Sequence, residues 1–124
     1  MKKKILIADD DENILTALTM MLEDEYQVTS ISNGQTIKEV EKYLPDLILL
    51  DIWMGEVDGR DICKRLKNQS LTKHIPIIMI SARANAEKSA YDSRADAFIA
   101  KPFEMDALLA KVEEYITKVD RYPI

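Results

Sequence analysis

The stretch Pro45-Asp46-Leu47-Ile48-Leu49-Leu50-Asp51-Ile52-Trp53-Met54-Gly55 decides how this chain folds. Four aliphatic residues in an unbroken run, opened by proline and aspartate, read as a strand buried on both faces, the habit of strands in parallel sheets. Such a strand ends in a loop, and the residue at its exit is Asp51. Packing gives no reason for a carboxylate there. The question becomes which other segments converge on it.

Working outward, the same unit recurs. Lys4 to Ala8 is a short apolar run followed by Asp9, Asp10, Asp11 and Glu12, and then by Ile14, Leu15, Leu18, Met21 and Leu22 at helical spacing. Tyr26 to Ile31 is rich in β-formers; Asn33 and Gly34 mark a turn, and Ile37, Val40 and Leu44 make a second helical stripe. After the Asp51 strand, Asp58 and Gly59 offer a helix start for the stripe Ile62, Cys63, Leu66. Ile75 to Ile80 is a fourth buried run, with Pro76 tolerable in its first residues. Ala84 to Arg94 is helix-permissive but rich in alanine, so it buries little and is the least firmly anchored helix. Ala97 to Ala100 is a fifth strand, and Met105, Leu108, Leu109, Val112, Ile116 and Val119 form the clearest amphipathic helix.

Strands alternating with helices predict an α/β domain: a doubly wound five-stranded parallel sheet with helices on both faces and right-handed crossovers. In the flavodoxin-like (βα)5 order 2-1-3-4-5, the topological switch lies between strands one and three, and sites form at carboxyl ends there. Asp9 and Asp10 follow strand one, Asp51 ends strand three, Ser81 follows strand four and Lys101 follows strand five. All face one end of the sheet. The 124 residues are expected to be a single domain, with a core over about residues 4 to 119 and a frayed tail over 120–124.

Composition narrows the function. A formal net charge of -5 disfavours a nonspecific nucleic-acid or membrane-surface binder, since both need a basic field. Lys2, Lys3 and Lys4 precede too short an apolar run for a signal peptide, and no stretch approaches the ~18 apolar residues of a membrane span, so a cytoplasmic location is expected. The one cysteine, Cys63, reads as core, and the lone His74 as a loop residue.

Three carboxylates drawn together repel one another unless a cation settles among them, and a hard divalent ion such as Mg2+ suits a site shared with phosphate oxygens. An aspartate beside it is a nucleophile toward phosphorus. Lys101 can neutralise a phosphoryl oxygen and the Ser81 hydroxyl can hydrogen-bond another. Taken singly these residues have plainer readings: Asp11 as a helix N-cap, Ser81 as a turn residue, Lys101 as a surface lysine, and Phe98 and Trp53 as packing.

With these pieces assembled, the chain resembles the receiver domains of two-component response regulators over Lys4 to about Val119, through ILIADDDEN, DLILLDIWM followed by DG, IPIIMISA and KPF in family order. The resemblance implies a phosphoacceptor rather than a turnover enzyme, with Asp51 taking a phosphoryl group from a histidine kinase or phosphotransfer protein. It further implies that Asp10, Asp51 and the Trp53 backbone carbonyl ligate Mg2+ (or Mn2+), with Asp9 acting through water. Ser81 and Phe98 match the switch positions, Lys101 the phosphate-contacting lysine, and Trp53 and Arg83 the positions that tune phosphoryl lifetime; the Lys101-Pro102 bond is expected to be cis. Output would pass through helix four, strand five and helix five to a downstream protein, or to a second copy in a homodimer, with no direct nucleic-acid or membrane contact. Two departures stand out. Gly55 replaces the usual proline and should loosen the loop after Asp51, and Arg94 replaces a common glycine, with strain of order 1 kcal/mol if its φ is positive. A receiver that binds partners without phosphorylation remains an alternative, as does, more remotely, a Mg2+-dependent aspartyl phosphatase.

Overall fold

The computed structural model describes residues 2–32 and 35–121. Five strand-helix units follow one another: β1 (Lys4–Ala8), α1 (Glu12–Leu22), β2 (Gln27–Ile31), α2 (Thr36–Tyr43), β3 (Leu47–Asp51), α3 (Gly59–Lys67), β4 (Ile77–Ser81), α4 (Glu87–Asp92), β5 (Ala97–Ala100) and α5 (Met105–Arg121). The strands form one parallel sheet in the order β2-β1-β3-β4-β5. This is the doubly wound arrangement expected from the sequence.

β3 lies at the centre, paired with β1 on one side and β4 on the other, and every one of its residues is buried. Because side chains alternate across a strand, Ile48 and Leu50 join the layer containing Val40, Ile62, Cys63, Leu66 and Ala90 from α2, α3 and α4. Leu47 and Leu49 join the opposite layer with Leu15, Leu18, Leu22, Leu108, Val112 and Ile116 from α1 and α5. A central strand covered on both faces needs no polar alternation, which is why the run Leu47 to Leu50 is unbroken. Each such aliphatic side chain contributes about 1.5–3 kcal/mol by leaving water.

Local chemistry sets the helix starts. Asp11 caps α1 by accepting from the Asn13 backbone N–H at 2.9 Å, and Asp58 caps α3 by accepting from Arg60 N at 2.9 Å. Both are side-chain N-caps of the kind worth about 1 kcal/mol. Cys63 is fully buried, and burial pushes its thiol up to about 11, which leaves it inert in the core.

Several boundaries differ from expectation. Tyr26 lies outside β2, and Ile75 and Pro76 precede β4; Pro76 has no N–H to give to the ladder, although its carbonyl accepts from Ile48 N at 3.0 Å. The segment read as one helix from Ala84 to Arg94 is a 3-10 turn, Ala84–Ala86, followed by the six-residue α4. Only Ala90 of α4 is buried, so little apolar area holds a longer helix together. Leu44 is not part of the α2 stripe: it adopts φ 49° as the left-handed cap and is half exposed. Met105 likewise starts α5 facing solvent. Asp120, expected in a frayed tail, belongs to α5, which reaches Arg121. The turn at Asn33 and Gly34 and tail residues 122–124 lie outside the described residues.

Candidate functional site

The carboxyl ends of β1, β3, β4 and β5 deliver Asp9, Asp51, Ser81 and Lys101 to one place. The ladder sets their level, because β1 pairs Ala8 with Leu50, β3 pairs Asp51 with Ile80, and β4 pairs Ser81 with Ala100. Asp9, Asp10 and Asp51 each offer a carboxylate oxygen, all within 4.8 Å of one another. Lys101 Nζ lies 3.0 Å from Asp9 Oδ2 and 3.6 Å from Asp51 Oδ2. Asp10, Asp51, Trp53, Ser81, Arg83 and Lys101, with Asp11 and Ala82, line an open cleft of about 310 Å³. Residues scattered over the sequence thus meet in one cleft.

Among the described residues Lys101 is the cation in ion-pair contact with Asp9 and Asp51, against three clustered carboxylates, and the imbalance is visible at Asp51. Burial, with the negative charge of Asp9 beside it, pushes its pKa from 3.8 up to about 6, against the opposing pull of Lys101. A site with surplus negative charge and oxygen donors from three separate carboxylates fits a hard divalent cation. Asp9 is also held by the backbone, its Oδ1 accepting from Asp11 N at 2.9 Å.

Ser81 is buried, and its Oγ accepts from Arg83 N at 3.0 Å, an arrangement that leaves the hydroxyl proton free to point into the cleft. Phe98 is apart from this group: it sits on β5 at 8% exposure, in the core layer with Met79, Ala90 and Ala95. The peptide bond Lys101-Pro102 is cis.

The loop after Asp51 is not the loosened segment that Gly55 suggested. Trp53–Met54 pairs antiparallel with Val57–Asp58, and Gly55 turns the corner at φ 59°. Its N–H donates to Asp10 Oδ2 at 2.9 Å, tying the turn to the first acidic loop. Proline could adopt neither that φ nor that hydrogen bond, so glycine here builds a different connection rather than a slacker one. Gly59 is the other constrained glycine. A Cβ on it would lie 2.3 Å from the Asp51 carbonyl oxygen, so α3 can start against the acceptor strand only without a side chain.

Sequence reasoning named Trp53 and Arg83 but missed Arg60, whose guanidinium lies 4.6 Å from the centre of the Trp53 ring, with that of Arg83 at 5.6 Å. The meeting depends on the two-residue hairpin that sets Trp53 opposite Asp58. No periodicity in the sequence announces a hairpin that short.

A parallel sheet whose switch point carries an acidic triad, a lysine and a hydroxyl defines a class of phosphate-handling α/β domains. Comparison with known proteins narrows the class: residues 5–113 match the response regulator receiver domain family, and the chain belongs to that family. It is similar to the nisin biosynthesis regulatory protein NisR of Lactococcus lactis, 38% identical over 95% of this chain and 52% of that protein. It is also similar to the DNA-binding dual master transcriptional regulator RpaA of Synechocystis, 34% identical over 97% of this chain and 52% of that one. The chain therefore spans about half the length of the curated relatives it matches. Among solved structures, a putative response regulator from Chloroflexus aurantiacus superposes with a TM-score of 0.89 at 29% identity, covering 94% of this chain and 99% of that one. As a receiver domain it is a phosphoacceptor by class rather than a turnover enzyme. No helix among the described residues is long and apolar enough to cross a membrane.

Proposed function

We propose that Asp51 accepts a phosphoryl group from the phosphohistidine of a histidine kinase or phosphotransfer protein. The observation that carries this reading is the convergence of Asp9, Asp10, Asp51 and Lys101 in one cleft, where burial and Asp9 raise the Asp51 pKa to about 6. An Asp51 carboxylate oxygen attacks phosphorus as the phosphorus–nitrogen bond breaks, and the imidazole, carrying a proton on its other ring nitrogen, leaves with the bonding electron pair as a neutral ring. Lys101, already within reach of Asp51, turns to a phosphoryl oxygen, and the Ser81 hydroxyl donates to another. Asp10, Asp51 and the Trp53 carbonyl would hold Mg2+ (or Mn2+), with Asp9 acting through water. When bound, the ion supplies the charge that lets an anionic carboxylate approach an anionic phosphoryl group.

Phosphorylation adds about -1.5 to -2 charge at Asp51. The pull on Ser81 and Lys101 is transmitted along β4 and β5 to α4, a six-residue helix with one buried residue and therefore the element easiest to displace. Phe98, on β5 beside α4, moves with it, and the α4, β5 and α5 surface is read by a downstream protein or a second copy of the chain.

Incubation with Mg2+ and acetyl phosphate should add the mass of one phosphoryl group to the protein and none to Asp51→Asn. An adduct that persists in Asp51→Asn would move the acceptor elsewhere. Trp53 obstructs the cleft, so the adduct should decay several-fold faster in Trp53→Asn, measured by mass spectrometry after removal of the donor. The phosphorylation-independent binding alternative predicts no adduct at all.

A further inference from the structure

Arg60 takes no part in the chemistry above, yet its side chain is fixed unusually well for a residue near the surface. Its Nε and Nη2 fork onto Asp58 at 2.9 Å to Oδ1 and 2.7 Å to Oδ2, and its backbone N–H also gives to Oδ1. Asp58 is itself the cross-strand partner of Trp53, so the fork sets the guanidinium against the indole, 4.6 Å from the ring centre. The indole in turn carries the Arg83 guanidinium at 5.6 Å, and both Trp53 and Arg83 line the cleft that holds Asp51.

We infer that Arg60 is a positioning residue that slows loss of the phosphoryl group from Asp51 by holding Trp53 at the mouth of the cleft. The inference rests on the phosphoacceptor reading. Decay is hydrolysis: a water oxygen bonds to phosphorus as the phosphorus–oxygen bond to Asp51 breaks, giving inorganic phosphate and the free carboxylate, with a water proton released to solvent. The attacking water must enter past whatever fills the cleft mouth. Trp53 sits on a two-residue strand at 40% exposure, and an indole so placed has other rotamers open to it unless something holds one. Arg60 supplies that hold from the first turn of α3, which packs so closely on the Asp51 carbonyl that Gly59 has no room for a Cβ. A guanidinium against an indole is the strongest of the ordinary cation–π pairings, and a fork with two teeth on a carboxylate is a geometry lysine cannot reproduce.

The test is a double-mutant cycle on Arg60→Ala and Trp53→Ala, with each protein phosphorylated by acetyl phosphate and Mg2+ and the decay of the adduct followed after donor removal. All four proteins should take up the phosphoryl group. Decay should be about fivefold faster in Arg60→Ala than in the parent, Arg60→Lys should fall between, and in the Trp53→Ala background the Arg60 change should have no further effect. Iodide should quench Trp53 fluorescence more strongly in Arg60→Ala, reporting the freed indole without any phosphate present. Equal decay of Arg60→Ala and parent would overturn the inference, as would the same acceleration with and without Trp53, which would mean Arg60 acts only by supporting α3. Failure of the parent to become phosphorylated is a different outcome, and it would remove the phosphoacceptor reading itself.

Discussion

Two lysine–aspartate pairs sit at opposite edges of the sheet, and they are satisfied in opposite ways. At the amino edge, Lys67 Nζ meets Asp96 Oδ2 at 2.8 Å and also donates to the carbonyls of Ile75 at 2.9 Å and Lys73 at 3.4 Å, while Asp96 accepts from Ile77 N at 2.8 Å. Charge balances charge there, and the pair clips the end of α3 to the start of β4. At the carboxyl edge, Lys101 is shared between Asp9 and Asp51, and Asp10 stands beside them. One edge is closed and the other is left short of positive charge. A buried ammonium whose three donors are all engaged, facing a carboxylate that balances its charge, is a closed arrangement, whereas a surplus carboxylate whose pKa is pushed up to about 6 is poised to bind a cation or attack an electrophile.

The contrast breaks first at the amino edge. Lys67→Met should lower stability by about 3 kcal/mol, because it takes away the counter-charge of Asp96 and leaves two carbonyls without their donor. The figure stays at the low end of the range for broken buried pairs because the Asp96 side chain keeps 35% exposure. Urea unfolding measures it, and phosphorylation of the folded fraction should be unaffected. A loss below about 0.5 kcal/mol would place this pair among ordinary surface ion pairs.

The opposite sign is expected at the carboxyl edge. The folded-state pKa of Asp51 lies above the unfolded value of 3.8, so the fold binds that proton more tightly than the open chain does. Stability from this group is therefore fully present below about pH 4 and is lost as pH rises through about 6. Asp51→Asn removes the penalty. In the presence of a chelator the variant should match the parent at about pH 4 and exceed it by about 2 kcal/mol at pH 7, and saturating Mg2+ should close the gap by stabilising only the parent. A parent whose stability is flat from about pH 4 to 7 without metal would remove the surplus-charge account.

These two edges also differ in how far the sequence announced them. β3 was legible because a strand covered on both faces leaves an unmistakable run, and Asp51, Ser81 and Lys101 were legible because each follows such a run at the same end. The sheet order then brings them together with no further information. Nothing comparable marks Lys67 and Asp96, 29 residues apart on a helix and a loop, because neither breaks a pattern. The hairpin carrying Trp53 was missed for a related reason: two-residue strands are too short to show period, and Gly55 read as slack where its positive φ and its N–H to Asp10 make a defined turn. Short α4 was overextended because alanine content permits a helix without saying how much core it has to lie on.

The smallest effect sharpens the comparison by showing how freely the amino edge can be retuned. Arg94 leads into β5 at φ 75°, a conformation in which a side chain costs about 1 kcal/mol relative to glycine. Its guanidinium recovers part of that through Nη1, which donates to Asn68 Oδ1 at 2.9 Å in an exposed position. Arg94→Gly relieves the strain and forfeits the hydrogen bond, so the net gain should be only about 0.5 kcal/mol, whereas Arg94→Ala, which keeps the strain and loses the bond, should be the less stable of the two. Thermal melts of both variants separate the contributions. Neither change touches the cleft, so phosphoryl uptake and decay should match the parent, and an altered decay rate would mean that the two edges communicate through β5.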